Sequence, residues 1–242
     1  MDYRETLYRN YSDSLRRVSI DSVHHAVFSE CYPELPAKKS SLIGDLGCGQ
    51  GIWLRWLAGL GYNNLVGIDV SLAELKLADQ TPVIRWIHGQ ATEVLQKTEE
   101  RFDLLHCKDL LEHFTKDETV AFLTACRNAL CPGGELWIST FNAQAWFAPV
   151  TCYGDFTHEL ALTPSSLAQV LRATGFEVVS VQGFHGCPPT PGGKMRRAGF
   201  KLLDFLARWI IDARHGRSKT VSNVDLTTAL PDIFARGRRD EA

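Results

Sequence analysis

The chain has 242 residues, which is enough for one domain with a complete hydrophobic core and short for two independent domains. Hydrophobic residues make up 45% and charged residues 22%, a globular composition that excludes an intrinsically disordered chain. The formal net charge of −2 provides no overall field that attracts nucleic acid or acidic substrates.

Three further features predict the location and the redox state of the chain. Residues 1–17 are polar and charged, unlike the apolar core of a signal peptide. No apolar run approaches the about 20 residues that span a bilayer. The seven cysteines are scattered, odd in number and form no C-x-x-C pair. We therefore expect a cytoplasmic protein with reduced thiols and no structural zinc site.

Hydrophobic periodicity predicts one or two helices over residues 1–37, which we expect to act as a lid, followed by alternating strands and helices. The predicted strands are residues 41–46, 65–69, 83–87, 102–106, 135–140 and 176–181. The predicted helices between them are residues 52–60, 72–79, 92–96, 117–130 and 164–174. Ser71 and Thr163 are expected to cap two of these helices, and Pro132 with its two following glycines is expected to stop another.

The composition changes after residue 186. Residues 187–193, CPPTPGG, predict a stiff break rich in turns, and a basic amphipathic helix follows over residues 195–213. We expect residues 1–186 to form the main domain and residues 187–242 a C-terminal helical extension whose end, residues 237–242, is frayed. The basic helix could pack on the main domain, on a second copy in a homodimer, or as a peripheral helix on an anionic membrane.

The alternation of strands and helices with short connections predicts an α/β fold. Its sheet is expected to be doubly wound and mostly parallel, with helices on both faces. Such sheets bind ligands beyond the carboxyl ends of their strands, near the point where the strand order reverses. We therefore expect the binding site where the acidic and glycine residues described next follow the strands.

The strongest binding signal is the segment Asp45-Leu-Gly-Cys-Gly-Gln-Gly51, at the end of the first predicted strand. Glycines at alternate positions let the backbone turn sharply and approach a ligand closely. Their G-x-G-x-G spacing differs from the G-x-G-x-x-G of dinucleotide-binding proteins. A carboxylate at position 45 would repel a pyrophosphate and attract an ammonium or sulfonium group. This segment therefore favours a cationic nucleoside and argues against a nicotinamide dehydrogenase.

A second acidic residue, Asp69, ends the next predicted strand about 20 residues after the glycines, a spacing that suits an acid bound to both hydroxyls of a ribose. The sequence supplies no neighbouring arginine for a ribose 2′-phosphate. After the third strand, the amide of Gln90 could both donate to and accept from the edge of an adenine.

The segments DLGCGQG, VGIDVS, HGQA, FDLLHCKDLLEHF and LCPGGELWIST together resemble the class I S-adenosylmethionine-dependent methyltransferases, in order and in spacing, over about residues 41–181. The resemblance implies a Rossmann-like, seven-stranded sheet. It also implies S-adenosyl-L-methionine as the methyl donor and S-adenosyl-L-homocysteine as the product. Gln90 departs from the family, which usually has aspartate at this position, and we expect weaker or altered donor binding from it.

The resemblance assigns a role to each donor residue. The first acid and the glycines would hold the methionine part of the donor, Asp69 the ribose, and Gln90 with Ala91 the adenine. The backbone of Lys108 would lie beside the sulfonium, and His113 would close that pocket. The complete implied donor set is Asp45, Gly47, Cys48, Gly49, Gly51, Asp69, Val70, Gln90, Ala91, Lys108 and His113.

The stretch YGDFTHE, followed by LTPSSL, resembles a subgroup of these enzymes that is linked to bacterial surface-polysaccharide and glycan biosynthesis, and it implies a sugar or glycan hydroxyl as acceptor. A hydroxyl is a poor nucleophile, so we expect His158 to act as a general base, with Asp155 and His113 as further catalytic candidates. The alternative is a network that fastens the loop, with Asp155 capping a turn and His158 bonded to backbone. Asp155 and His158 offer too few ligands for a metal, so no metal site is expected. The expected acceptor-binding residues are Tyr11, Trp146, Tyr153 and Glu159.

These observations predict an S-adenosylmethionine-dependent O-methyltransferase that acts on a sugar or glycan intermediate. Two alternatives keep the same donor: methylation of nitrogen or carbon in a small metabolite, and a protein that binds S-adenosylmethionine without catalysis. Nucleic acid is not expected as a partner, because the sequence has neither an N-P-P-Y-like motif nor a strong basic track.

Overall fold

The computed structural model describes residues 22–32, 34–78, 81–188, 190–215 and 223–241. The predicted acceptor residue Tyr11 and most of the predicted N-terminal helices lie outside this part of the chain. The helices are α1 Ser22–Cys31, α2 Ile52–Gly59, α3 Leu72–Leu77, α4 Ala91–Lys97, α5 Lys116–Ala129, α6 Ala148–Cys152, α7 Pro164–Ala173 and α8 Pro191–His215, with a 3₁₀ turn at Leu111–His113. The strands are β1 Ile43–Leu46, β2 Leu65–Asp69, β3 Ile84–His88, β4 Phe102–Lys108, β5 Leu130–Phe141, β6 Glu177–Phe184 and β7 Asp232–Arg238.

The strands form one seven-stranded sheet in the order β3-β2-β1-β4-β5-β7-β6. Strands β1 to β5 run parallel, and β7 runs antiparallel to both of its neighbours. The prediction of a Rossmann-like, doubly wound and mostly parallel sheet is confirmed. The winding reverses between β1 and β4, so a ligand crevice is expected beyond the carboxyl ends of these two strands.

The sheet has a hydrophobic core on each face. One core contains Phe122 of α5 and Leu167 of α7, packed against the sheet. The other contains Trp53 and Trp56 of α2 together with Tyr32, which follows α1. Helices therefore cover both faces, and α1 and α2 lie on the same side of the sheet.

Two helix starts in the sheet domain follow from local sequence. The Ser71 hydroxyl accepts a hydrogen bond from the backbone N–H of Glu74 and caps α3 as predicted. Thr163 caps α7 in the same way, with Pro164 directly after it at the first helical position. These caps fix the residues at which both helices begin.

The helix before β5 ends within one residue of its predicted end, but the predicted start of the strand after it was wrong. Helix α5 ends at Ala129, and β5 begins at Leu130 and continues through Pro132. The register explains how a proline fits: Phe102 pairs with Leu130, whereas Leu104 pairs with Glu135. The extra residues of β5 form an irregularity in the strand, and proline and glycine are tolerated at such places.

The prediction that residues 237–242 are frayed was also wrong, because residues up to 238 belong to β7. This strand lies between β5 and β6, so a strand that completes the sheet comes from the stretch assigned to the C-terminal extension. Arg236 and Arg238 lie 2.9 and 2.8 Å from the Glu135 carboxylate on β5. Arg238, which lies in the segment expected to be frayed, is therefore ion-paired with the neighbouring strand.

The predicted break at residues 187–193 ends earlier than expected. Helix α8 already begins at Pro191, and the Thr190 hydroxyl accepts a hydrogen bond from the backbone N–H of Gly193 at 3.2 Å. Proline is favourable at the first position of a helix, since it has no N–H to leave unpaired there. Within the described part of the chain, no helix is long and apolar enough to cross a bilayer.

Candidate active site

The glycine segment forms the sharp bend that its sequence predicts. Gly47, Gly49 and Gly51 have φ angles of 72°, 52° and 66°, in the left-handed region that other residues rarely adopt. The backbone N–H groups of Gly47 and Cys48 donate to the carbonyl of Ile68 at 2.8 and 3.1 Å. Strand β2 thus fixes the start of the bend, and Gly51 at its end is the N-cap residue of α2.

Asp69 holds the bend from the end of β2. One of its carboxylate oxygens accepts from the N–H of Gly49 and the other from the N–H of Ser71, both at 2.7 Å. Burial raises the pKa of Asp69, and these two hydrogen bonds oppose that rise. The carboxylate therefore shapes the glycine bend in addition to the predicted contact with a ribose, which stays a prediction.

Asp45 belongs to a buried hydrogen-bonded chain that the sequence analysis missed. Its carboxylate accepts from Nδ1 of His106 on β4 at 2.7 Å, and Nε2 of His106 lies 2.9 Å from the hydroxyl of Tyr32. Burial raises the pKa of Tyr32 well above its usual value, so the phenol keeps its proton. The ring of Trp53 stacks on His106 at 4.1 Å. His106 thus fixes the orientation of Asp45, while Tyr32 and Trp53 fix His106.

A cavity of about 350 Å³ opens beside this chain, within the range of small-molecule sites. Helix α1, the glycine bend, the start of α2 and the end of β4 form its walls. The lining residues are His24, Phe28, Tyr32, Asp45, Gly47, Cys48, Gly49, Gln50, Ile52, Trp53, Glu74, His106 and Lys108.

The predicted donor residues divide into two groups around this cavity. The first acid, two of the glycines, Cys48 and Lys108 line it. Gln90 and Ala91 start α4, and the carbonyl of Val70 accepts a hydrogen bond from His88 at 3.0 Å. Outside the lining lie Gly51, Asp69, Val70, Gln90, Ala91 and His113. The cavity therefore covers the region predicted for the methionine part of the donor, and the predicted adenine contacts are still predictions.

Beyond β4 lies a second polar cluster, formed by Glu112, His113 and His158. One oxygen of Glu112 and one ring nitrogen of each histidine lie within 4.8 Å of one another. Glu112 is buried, and one of its oxygens accepts from the hydroxyl of Thr140 at 2.9 Å. Burial raises the pKa of Glu112 to about 7 and lowers the pKa of His113. Both histidines were predicted from the sequence, but Glu112 was not, because a lone glutamate within an apolar segment gives no sign of its partners.

The loop after β5 holds both histidines of this cluster by their Nδ1 atoms. Nδ1 of His158 lies 3.1 Å from the carbonyl of Cys152, and Nδ1 of His113 lies 2.9 Å from the hydroxyl of Thr157. The Thr157 hydroxyl also lies 2.7 Å from an Asp155 carboxylate oxygen. Both features of the fastening alternative, the turn at Asp155 and the backbone bond of His158, are therefore present. These contacts use the Nδ1 atom of each ring, and Nε2 of His158 takes no part in them.

The predicted acceptor residues near this loop are largely exposed. Trp146 donates its indole N–H to the carbonyl of Leu203 at 3.0 Å and so connects the loop to α8. Tyr153 is 74% exposed. The backbone N–H of Glu159 donates to the carbonyl of Glu112 at 2.7 Å, which fixes the loop above the cluster.

Asp109 is a further residue that the sequence analysis missed. It follows Lys108 directly, pairs with the ammonium of that lysine, and has a φ of 52°. A residue with a side chain rarely adopts this left-handed conformation, and such residues are concentrated at functional sites. No signal in a single sequence identifies it.

Comparison with known proteins supports a function for this geometry. A family described as "Methyltransferase domain" matches residues 8–181. A ubiquinone biosynthesis O-methyltransferase of Cupriavidus pinatubonensis is 30% identical over 155 residues, which are 57% of this chain and 61% of that protein. The protein of the same name from Burkholderia thailandensis is 28% identical over 170 residues, 64% of this chain and 71% of that protein. The match to the first relative thus spans about three fifths of that relative's length.

Two solved structures share the fold. A SAM-dependent methyltransferase from Archaeoglobus fulgidus has a TM-score of 0.67 at 16% identity, covering 97% of this chain and 99% of that one. The 1,6-didemethyltoxoflavin-N1-methyltransferase of Burkholderia thailandensis, solved with S-adenosylhomocysteine, has a TM-score of 0.57 at 16% identity and covers 99% of this chain and 86% of that one. At such low identity these structures support the fold alone.

Proposed function

We propose that this chain, a member of the methyltransferase-domain family, methylates a hydroxyl group of a small-molecule acceptor. The chain is an S-adenosylmethionine-dependent methyltransferase. The acceptor and the residues that activate it are proposals. The observation that carries the proposal is the cluster of Glu112, His113 and His158 directly beyond β4, a strand whose last residue, Lys108, lines the cavity.

The donor half of the site is proposed to hold the methyl group for in-line transfer. The glycine bend brings bare backbone to the cavity, and Asp45 places a carboxylate in its lining. A carboxylate there attracts the positive charges of the donor, and Asp69 is proposed to bind the ribose hydroxyls. Alignment of the two reactants supplies much of the acceleration of such a displacement.

The acceptor half is proposed to activate the attacking oxygen. The Cys152 carbonyl can only accept a hydrogen bond, so Nδ1 of His158 must carry the proton and donate it. Nε2 of His158 then has a lone pair that can act on the acceptor hydroxyl. The acceptor oxygen forms a bond to the methyl carbon while the electron pair of the C–S bond returns to sulfur. The hydroxyl proton passes to Nε2 of His158, and a methyl ether and S-adenosylhomocysteine with a neutral sulfur result.

The chemical class of the acceptor hydroxyl is a separate part of the proposal. The resemblance around His158 predicted a sugar or glycan, whereas the curated relatives are named for ubiquinone biosynthesis and give no support to a sugar. What the prediction and the relatives' names have in common is O-methylation. We therefore propose a hydroxyl acceptor and leave the two acceptor classes to the assay described next.

The assay supplies labelled S-adenosylmethionine with three panels: phenols, sugar nucleotides or lipid-linked sugars, and amines. We expect label on oxygen in one of the two hydroxyl panels, together with S-adenosylhomocysteine that forms only when acceptor is present. Label on nitrogen or carbon would support the alternative acceptors and contradict O-methylation. Donor binding without transfer to any acceptor would favour a non-catalytic binding protein.

We also propose that α8 contacts an anionic membrane surface as a peripheral helix. Leu202, Phe205 and Trp209 are 60%, 66% and 68% exposed, which is unusual for large apolar side chains. Arg208 holds the other side of the helix to the body of the protein, 2.6 Å from Asp225. Exposed basic residues on the helix, Lys194, Arg196 and Lys201, complement the charge of anionic headgroups.

Co-sedimentation with vesicles tests this contact. Vesicles rich in phosphatidylglycerol should retain the protein, and pure phosphatidylcholine vesicles should retain less of it. Trp209→Ser should reduce retention, whereas Phe156→Ser, at an 82% exposed aromatic outside α8, should not. Equal retention of all three proteins, or a dimer in solution that Trp209→Ser dissociates, would contradict a membrane role for the helix.

A further inference from the structure

The cluster of Glu112, His113 and His158 contains a buried carboxylate oxygen whose charge is not compensated by a hydrogen bond. Glu112 is 2% exposed, and its Oε1 has no hydrogen-bond partner among the described residues. The other oxygen accepts from Thr140. A buried carboxylate is costly unless its lone pairs are satisfied, so Oε1 requires a proton or a cation beside it.

Both histidines of the cluster are oriented in the manner of metal ligands. Asp155 can only accept, so the Thr157 hydroxyl gives its one proton to Asp155 and must accept from Nδ1 of His113. Nδ1 of His158 likewise donates to the Cys152 carbonyl. In each ring the lone pair is therefore on Nε2. Histidines that bind metals usually donate their other N–H to a carboxylate, a carbonyl or a similar acceptor, which fixes tautomer and orientation.

We infer that Glu112, His113 and His158 form a binding site for a divalent transition-metal ion of the zinc or manganese class. Two imidazoles with one carboxylate suit such ions, whereas magnesium and calcium prefer oxygen ligands alone. One carboxylate oxygen of Glu112 and one ring nitrogen of each histidine lie within 4.8 Å of one another. Ligands about 2.1 Å from one ion can be at most about 4.2 Å apart, so only a small side-chain movement closes the site.

No metal site was expected from the sequence, because Asp155 and His158 alone offer too few ligands. Asp155 contributes differently: it orders Thr157, which in turn orients His113. Glu112 supplies the carboxylate in its place. Two residues of one turn and one residue 45 positions later thus meet only in the folded chain, where the N–H of Glu159 donates to the Glu112 carbonyl at 2.7 Å.

This inference rests on the proposed function and specifies how the acceptor hydroxyl is activated. An ion bound by three protein ligands keeps open positions at which the hydroxyl oxygen can bind, and this lowers the pKa of the hydroxyl. The proton passes to solvent water, and the oxygen lone pair forms the new bond to the methyl carbon. The C–S electron pair returns to sulfur, so charge and atoms balance without an oxidant or a reductant. His158 then acts as a ligand and not as the proton acceptor.

The test begins with the wild-type protein, stripped with EDTA and titrated with Zn²⁺, Mn²⁺ or Co²⁺ by calorimetry. We expect one ion per chain, and for Co²⁺ a visible absorption band. Glu112→Gln and His158→Ala should abolish binding. Thr157→Val, which removes only the group that orients His113, should weaken binding by about 10- to 100-fold. His25→Ala and Glu93→Gln, at exposed positions outside the cluster, should bind as the wild type does.

The outcomes separate the metal site from the proposed function. Loss of methyl transfer on chelation, restored by the ion while donor binding is unchanged, supports the inference. A wild-type protein that binds no ion, and transfers methyl groups equally well in EDTA, overturns the metal site and leaves His158 as the proton acceptor. An ion bound at the three residues without methylation of any hydroxyl overturns the proposed function and keeps the site.

Discussion

His158→Ala is expected to lower the turnover number by about 100-fold or more while leaving the affinity for S-adenosylmethionine unchanged. The side chain lies in the acceptor loop, its ring centroid 4.8 Å from that of His113, and it is not part of the cavity lining. Its loss removes activation of the hydroxyl, whether Nε2 binds an ion or takes the proton. Initial rates with saturating donor, together with calorimetric titration of S-adenosylmethionine in the absence of acceptor, measure both quantities.

The matched control is His25→Ala, an exposed histidine of α1 that should leave both quantities unchanged. The melting temperature of each variant shows whether the fold is intact. Near-normal turnover of His158→Ala would remove this residue from the activation step and leave the fastening of the loop, through the Cys152 carbonyl, as its role.

Gly51→Ala should be the most damaging change in the donor half. A methyl group at this position would lie 2.1 Å from the ring of Trp86, and the φ of 66° disfavours any side chain. The ring has little room to move, because it already packs against the backbone of Gly67. A Cβ added at Gly67 would lie 2.7 Å from the ring. Steric overlap and the left-handed backbone together should cost about 3 kcal/mol of the free energy of unfolding.

Urea denaturation, followed by circular dichroism, measures that loss. Gly49→Ala is the matched control: its φ of 52° is also left-handed, but a Cβ there meets nothing within 4 Å among the described residues. It should lose only about 1–2 kcal/mol, the cost of the backbone conformation. Equal losses in the two variants would contradict the close packing of Trp86 under the bend.

The donor half could be predicted because its signals are local in the sequence. The glycine bend, the acid that follows β2 and the Ser71 cap each lie within a few residues of the turn they form. Their conformations follow from what glycine and short polar side chains can do next to a strand end. The sheet class could be predicted for the same reason, since the alternation of strands and helices is a regular pattern along the chain.

The remaining parts depend on which strands become neighbours. The bond between Asp45 and His106 exists because β1 lies next to β4, and the register places these two residues side by side. Strand β7 was not predicted, because Glu135, the partner of Arg236 and Arg238, is about 100 residues away in sequence. Such pairings are set by tertiary packing, which a single sequence does not reveal.

The most direct test of the account is a calorimetric titration of S-adenosylhomocysteine into the wild-type protein and into Asp69→Ala. The glycine bend and its two carboxylates should bind one ligand per chain in the wild type. Asp69→Ala should bind at least about tenfold more weakly, since it loses a charged hydrogen-bond acceptor for the ribose and for the bend. A wild-type protein that binds neither S-adenosylhomocysteine nor S-adenosylmethionine would contradict a methyl-donor site at the glycine bend.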